Sequence, residues 1–169
     1  LRFFFLKNKK KIPVYADLIT RKYLLENFTY CFKKDHYPPT LDLKKIKTNL
    51  KFTSNNKTLS VRAVPVKHGS INSIAYIFNK KCAYASDVNF IYKKDIGYFK
   101  NLKYLILDCL RYDPHPSHFN LNQCLEIVKK LKPKKTILTN LSSEIDYSSI
   151  KRKLPKNVYP AFDGITLKL

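Results

Sequence analysis

The stretch from Val64 to Asn89, VPVKHGSINSIAYIFNKKCAYASDVN, constrains the fold of this chain most strongly. Its β-branched and aromatic runs, separated by polar residues, predict three short strands. His68 comes where the first strand ends, and Asp87 comes where the third strand ends. An imidazole and a carboxylate delivered from neighbouring strands are the donors of a transition-metal site. A histidine beside a glycine is also a common turn residue, so the stretch alone leaves both interpretations open.

The blocks that follow extend this pattern over the rest of the chain. They are YASDVN, LILDCLRYDPHPSHF, TILTN and AFDG, in that order, and IPVYAD and YPPTL precede them. In order and spacing the chain resembles the second half of a metallo-β-lactamase-fold hydrolase. The resemblance is to the bacterial branch that includes the phosphoribosyl cyclic phosphate phosphodiesterase, and HPSHF and YASD are its most specific parts.

The resemblance implies an α/β architecture: an αββα sandwich of two mixed sheets flanked by helices, incomplete at the N-terminus. The alternation of predicted strands and helices agrees with an α/β class. Residues 1–169 would form a single domain, the C-terminal portion of the fold. Relatives of this kind use two divalent metal ions, commonly zinc or manganese, to activate a water molecule for attack on a phosphoryl or acyl centre.

Three residues match the family's active site position by position. His68 corresponds to a histidine metal ligand, and Asp87 to the carboxylate that bridges both metals. His118 corresponds to an additional histidine that faces the substrate phosphate, where an imidazole holds the anion or protonates the leaving oxygen. The resemblance therefore implies metal ligation by His68 and Asp87 and a catalytic role for His118.

Three further residues have two interpretations each. His115 either contacts substrate or orders its loop, and Arg111 either contacts phosphate or forms a surface salt bridge. Asp108 either orients a ligand histidine from behind or caps a turn.

The chain departs from the family pattern in two places. The His-x-His-x-Asp-His segment is absent, which predicts that these residues are a fragment whose natural start lies upstream of Leu1. Where the family carries a last histidine ligand, TILTNLSSEIDY has Asn140, Ser142 and Ser143 instead. Since amide and hydroxyl groups are poor substitutes for imidazole at zinc, the second metal is in doubt. We therefore expect this chain alone to be inactive.

The formal charge of +21 raises the question of a nucleic-acid partner. Along the sequence the lysines form scattered doublets, and arginine, the better reader of phosphates and bases, is rare. This pattern favours a solvated basic surface that attracts small anionic phosphate esters. We expect no nucleic-acid partner and no membrane span, and a homodimer is compatible with the sequence.

The four cysteines have no paired spacing for zinc, and Cys82 and Cys109 lie in apolar strand patterns that predict buried thiols. A reducing cytoplasm is the compartment that fits them.

Local signals also predict the elements around the site. Asp17, Asn120 and Asp146 are placed to cap helices, with Gln123 completing a capping box. Ile12 to Ala16, Tyr104 to Leu107 and Ile165 to Leu169 are predicted strands. The polar segment from Lys33 to Pro39, which contains His36, is predicted to be an exposed loop. Phe3 to Leu6 is predicted to expose a strand edge, since its partner strands would lie upstream.

The predicted function is a cytoplasmic metal-dependent hydrolase, a phosphodiesterase acting on small cyclic phosphate esters. Two alternatives are a non-catalytic relic or binding protein of the same fold and an RNA-processing nuclease.

Overall fold

A computed structural model describes residues 1–33 and 37–169, so the predicted loop histidine His36 lies outside the described residues. The chain divides into two compact units, Leu1–Lys47 and Thr48–Leu169. The predicted mixed α/β fold class is confirmed.

The first unit contains two helices and one small sheet. Strands β1 and β2 pair in parallel, with Ile12 opposite Leu41. The carboxylate of Asp17 accepts a hydrogen bond from the backbone N–H of Thr20 and caps the second helix as predicted. The elements are α1 (Arg2–Asn8), β1 (Ile12–Ala16), α2 (Leu18–Asn27), a 3-10 helix (Thr29–Cys31) and β2 (Leu41–Lys45).

The second unit is built on one mixed sheet of seven strands, in the order β3-β4-β5-β6-β7-β8-β9. Strands β3 to β6 are antiparallel to their neighbours, whereas β6 to β9 run parallel. The elements are β3 (Asn49–Ser54), β4 (Lys57–His68), β5 (Ile71–Phe78), β6 (Cys82–Ala85), a 3-10 helix (Ile96–Phe99), β7 (Tyr104–Asp108), α3 (Leu121–Leu131), β8 (Lys135–Thr139), α4 (Tyr147–Lys153) and β9 (Val158–Pro160).

The core of this unit lies between the parallel strands and the amphipathic helix α3. Leu105, Leu107 and Leu138 from β7 and β8 are completely buried, as is Leu131 from α3. A continuous apolar run is typical of a strand covered on both faces, which is why β7 was predictable. Cys82, Cys109 and Cys124 are buried free thiols, and for the first two this confirms the prediction.

Side-chain caps fix where the helices of this unit begin. Asn120 accepts from the backbone N–H of Gln123, whose side chain accepts in return from the backbone of Asn120. Asp146 caps α4 by accepting from the N–H of Ser149, and hydrogen bonds from the side chain and the backbone of Ser149 lower the pKa of its carboxyl group. Both predicted caps are confirmed.

Two predicted strands are wrong. Phe3 to Leu6 lies in helix α1, where the backbone satisfies its hydrogen bonds locally. Ile165 to Leu169 does not form a strand, because the N–H of Ile165 donates to the carbonyl of Phe162 within a turn. The edge strand β3 was missed, because it is exposed along almost its whole length and lacks a buried face.

None of the described helices combines the length and the apolar character needed to cross a bilayer.

Candidate metal-dependent active site

His68 is the last residue of β4, and its ring is held by the loop that carries HPSHF. Nδ1 of His68 lies 2.8 Å from the carbonyl oxygen of Ser117. Since a carbonyl only accepts, Nδ1 carries the proton and Nε2 keeps a lone pair for another partner. A backbone carbonyl behind a histidine ring is a common way to orient a metal ligand.

His118 is oriented in the same way by a carboxylate. Its Nδ1 lies 2.6 Å from Oδ2 of Asp108, which leaves Nε2 free. The rings of His68 and His118 meet edge to face with their centroids 4.6 Å apart. Asp108, at the end of β7, therefore contacts His118 from behind.

Asp87 completes a group of three potential metal donors. It lies two residues beyond the end of β6 and is exposed. Each residue offers one donor atom, and the donor atoms of His68, Asp87 and His118 all lie within 4.8 Å of one another. Two imidazoles and one carboxylate are a donor set suited to zinc, manganese or a related divalent ion. The arrangement thus fits one such ion. Within the described ranges, no other group of three or more potential metal donors is found.

The buried carboxylate of Asp108 joins several loops at the carboxyl edge of the parallel strands. It is fully buried and accepts hydrogen bonds from the backbone N–H of Val88 at 3.0 Å, from His118 and from the amide of Asn140 at 3.2 Å. Burial raises the pKa of Asp108, and these hydrogen bonds oppose that rise. Removal of this carboxylate would leave the buried N–H of Val88 without its side-chain acceptor and would release the ring of His118.

His115 and Arg111 lie in the same loop, and both contribute to its shape. Nδ1 of His115 is 3.3 Å from the backbone nitrogen of Ser117 and 3.3 Å from that of His118, so it accepts and Nε2 carries the proton. Partial burial, followed by the charge of Arg111, lowers the pKa of His115, which favours the neutral ring. Arg111 donates to the carbonyl oxygens of Asp113 and Pro114. Among the described residues it forms no ion pair.

Sequence reasoning missed Asn89, which ties two of the loops together. Its side-chain oxygen accepts from the N–H of Gly69, and its amide donates to the carbonyl of Pro116 at 2.8 Å. The one available signal was its position two residues after Asp87, in the block YASDVN.

Gly69 makes a close approach that no other residue type can make without strain. Its φ is +59°, and a Cβ built there would lie 2.9 Å from the Cβ of Ser117. We expect Gly69→Ala to lower the free energy of unfolding by about 1–3 kcal/mol, because it adds a disfavoured conformation and a steric contact. Urea unfolding followed by circular dichroism would measure the change.

Two other glycines provide matched controls for that substitution. Gly97→Ala introduces no contact within 4 Å at an ordinary φ, and Gly164→Ala introduces a φ of +89° in open space. If Gly69→Ala were no more destabilising than Gly164→Ala, the contact with Ser117 would have no energetic importance.

Comparison with known proteins shows the family of this chain. A family model described as a beta-lactamase superfamily domain matches residues 2–139. The chain belongs to the beta-lactamase superfamily. Its metallo-β-lactamase fold, predicted from the sequence, is confirmed.

The chain is also similar to individual proteins. A crystal structure described as a new diphosphatase from the PhnP family is 28% identical, with a TM-score of 0.82 over 95% of this chain and 59% of that one. Zinc-bound PqqB from Methylobacterium extorquens is 12% identical, with a TM-score of 0.67 over 97% of this chain and 67% of that one. An octanoyltransferase from Porphyromonas gingivalis (strain ATCC BAA-308 / W83) is 24% identical over 160 residues, which are 92% of this chain and 32% of that protein. The chain therefore spans about a third of this relative and 59% of the diphosphatase.

At the end of β8, this chain departs from the set of metal ligands that the family resemblance implies. Asn140 lies where the resemblance implies the last histidine ligand, and it has a left-handed φ of 60°. Its amide donates to the carbonyl of Ser86 and to Asp108. Asn140 thus braces the loop that carries Asp87 instead of offering an imidazole. Ser143 is exposed, and the partly buried Ser142 hydroxyl has no described hydrogen-bond partner.

Proposed function

We propose that this chain supplies part of the active site of a metal-dependent hydrolase that acts on small, including cyclic, phosphate esters. The observation that carries the proposal is the convergence of donors from His68, Asp87 and His118 within 4.8 Å. The likeness to the PhnP-family diphosphatase supports phosphate chemistry, since it is 28% identical and shares the fold with a TM-score of 0.82.

His68 and Asp87 would hold a divalent ion in this scheme. Both are positioned for it, since the His68 ring is fixed through Nδ1 and Asp87 extends from a loop braced by Asn140. When bound, such an ion would supply Lewis acidity, which activates water and polarises a phosphoryl oxygen. Zinc and manganese are both compatible with these donors. A second ion would need donors beyond this cluster.

His118 would act on the phosphate itself. With Nδ1–H donated to Asp108, a protonated ring carries its second proton on Nε2, directed away from the carboxylate. Nε2 would transfer this proton to the departing ester oxygen, and Asp108 would stabilise the imidazolium before the transfer. The ring then remains neutral with its proton on Nδ1, still hydrogen-bonded to Asp108.

His115 is suited to bind the substrate anion. Its Nε2–H is not used by the loop, because the loop's contacts with His115 are made through Nδ1. A neutral imidazole donor can bind a phosphoryl oxygen without competing for the metal. Arg111 would act mainly by holding the loop, since its donors already bind the carbonyls of Asp113 and Pro114.

One observation favours a non-catalytic binding protein as the second candidate. The amide of Asn140 is already hydrogen-bonded at the position of the expected last ligand, so the local structure is complete without a metal there. Such a protein would retain the fold and the phosphate-binding loop but would not turn over substrate.

Measurements of metal binding and of turnover together distinguish the metal-dependent hydrolase from the non-catalytic binding protein. We expect the purified 169-residue chain to bind at most one zinc or manganese ion per molecule by mass spectrometry and calorimetry, because only His68 and Asp87 are assigned as ligands, and to show little turnover of bis(p-nitrophenyl) phosphate. The natural gene product that carries these residues should hydrolyse the same ester, and a chelator should abolish this activity. A natural product that binds metal but does not hydrolyse phosphate esters would favour the binding protein.

A further inference from the structure

The edge of the seven-stranded sheet opposite the candidate site is strongly basic. Because β6, β7, β8 and β9 run parallel, their amino ends gather at one edge while Asp87, Asp108 and Asn140 follow their carboxyl ends. Each amino end is preceded or begun by lysine. We call this surface the lysine edge, formed by Lys80, Lys81, Lys103, Lys134, Lys135 and Lys156.

Backbone hydrogen bonds show that these lysines are neighbours, although they are up to 76 positions apart in the sequence. The carbonyl of Lys81 accepts from the N–H of Tyr104, next to Lys103. The N–H of Lys135 donates to the carbonyl of Lys103 at 3.1 Å. On the next strand, the carbonyl of Asn157, beside Lys156, accepts from the N–H of Thr136. The lysine doublets that are scattered in the sequence are therefore brought together by the sheet register.

No carboxylate balances this charge in the segments that build the edge. Residues 79–82, 100–104, 129–136 and 153–158 contain eleven lysines and no aspartate or glutamate. No ion pair of the described residues involves a lysine from these segments. Apart from Lys103, which is half-buried and donates to the carbonyl of Lys168, the lysines of the edge are exposed. A concentrated, unpaired positive charge attracts a polyanion.

Tyrosine rings lie among these lysines. The Nζ atom of Lys103 lies 5.3 Å from the ring centre of Tyr104, and that of Lys135 lies 5.8 Å from the ring centre of Tyr159. Tyr159 is exposed. Lysines that neutralise phosphates, combined with rings on which bases stack, are the features of surfaces that bind single-stranded nucleic acid.

We propose that the lysine edge binds single-stranded nucleic acid. A membrane fits less well, since the helix that ends at this edge, α3, packs its apolar side chains Cys124, Val128 and Leu131 into the core and has no apolar face left to insert. Strand β7 spans five residues, so the edge lies about 15 Å from the metal-donor cluster. Binding there is independent of the proposed hydrolase activity.

Fluorescence anisotropy with a labelled oligouridine tests this proposal on the 169-residue chain. The edge variant combines Lys81→Gln, Lys134→Gln, Lys135→Gln and Lys156→Gln. The control combines Lys51→Gln, Lys57→Gln, Lys93→Gln and Lys94→Gln, which are exposed lysines elsewhere. Both variants have the same net charge, so a difference between them reports location and not total charge.

We expect the edge variant to bind at least about tenfold more weakly at moderate salt and the control to stay within about threefold. The slope of log affinity against log salt should fall by about two to three in the edge variant, since each lost phosphate contact removes about 0.7. Equal losses in both variants, or no binding by the wild-type chain, would overturn the proposal.

A second measurement does not depend on the variants. Bound oligouridine should protect Lys81, Lys134, Lys135 and Lys156 from acetylation, as mapped by mass spectrometry, and leave Lys93 and Lys94 reactive. The same acetylation measurement with vesicles of equimolar phosphatidylcholine and phosphatidylserine tests whether the lysine edge binds a membrane instead. If the vesicles protected the edge lysines and oligouridine did not, the edge would be a membrane surface and the proposal would be wrong.

Discussion

His118→Ala is expected to lower phosphodiester turnover by the natural, metal-loaded protein by about a hundredfold or more while leaving its metal content nearly intact. Loss of a general acid or of an anion-binding group has costs of this size. The expectation depends on the Asp108 carboxylate, which lies 2.6 Å from Nδ1 and directs the other ring nitrogen away from itself. Steady-state kinetics and metal analysis on the same preparation would measure both quantities.

Metal content is the more decisive of these two quantities, because the donor atom of His118 also lies within 4.8 Å of the donor atoms of His68 and Asp87. If His118→Ala removed the metal, the side chain would be a ligand and the proposed proton transfer would be wrong. His115→Ala is a suitable control, since the ring lies in the same loop with its centroid 5.1 Å from that of His118. It should weaken substrate binding more than it slows turnover.

His68→Ala should produce the largest loss of metal. Removal of a direct ligand is expected to reduce affinity by more than the ~10–100-fold typical of a residue that only orients a ligand. Competition with a fluorescent zinc chelator would measure the affinity of the 169-residue chain, so this test does not require turnover.

A conservative change separates ligation from folding at this position. In His68→Asn the side-chain amide can still donate to the carbonyl of Ser117 from the position of Nδ1, so the loop contact is retained while the imidazole donor is lost. Both variants should lose metal, and His68→Asn should unfold at a urea concentration closer to that of the wild type. Normal metal affinity in either variant would exclude His68 from the site.

The parts of this fold that could be predicted from the sequence are those determined by neighbours along the chain. Asn120 and Gln123 are three residues apart, and both halves of their capping box form. The strand Tyr104–Asp108 followed from an uninterrupted apolar run. The positions of His68 and Asp87 at strand ends followed from the same local patterns.

The interactions that support the site could not be predicted, because they join residues far apart in sequence. Asp108 meets Asn140 across 32 positions and Val88 across 20. The apolar run at Phe3 was wrongly predicted as a strand, because its composition is compatible with one. A strand also needs a partner strand, and the segment forms a helix. Convergence of the lysines likewise depends on strand register, which the sequence did not reveal.

The long hairpin of β4 and β5 has a consequence for the order in which the molecule assembles. Eight residue pairs, from Val61 with Phe78 to His68 with Ile71, close around a two-residue turn. Contacts so close in sequence form on the microsecond scale, whereas the parallel pairings that place Asp108 must close longer loops. We therefore expect the backbone of His68 to reach its place at the end of the hairpin early, before the contact of its ring with Ser117 forms. In a partial opening of the protein, we expect the loops that carry Asp87 and His118 to separate from an intact hairpin, so that the site is lost before the scaffold.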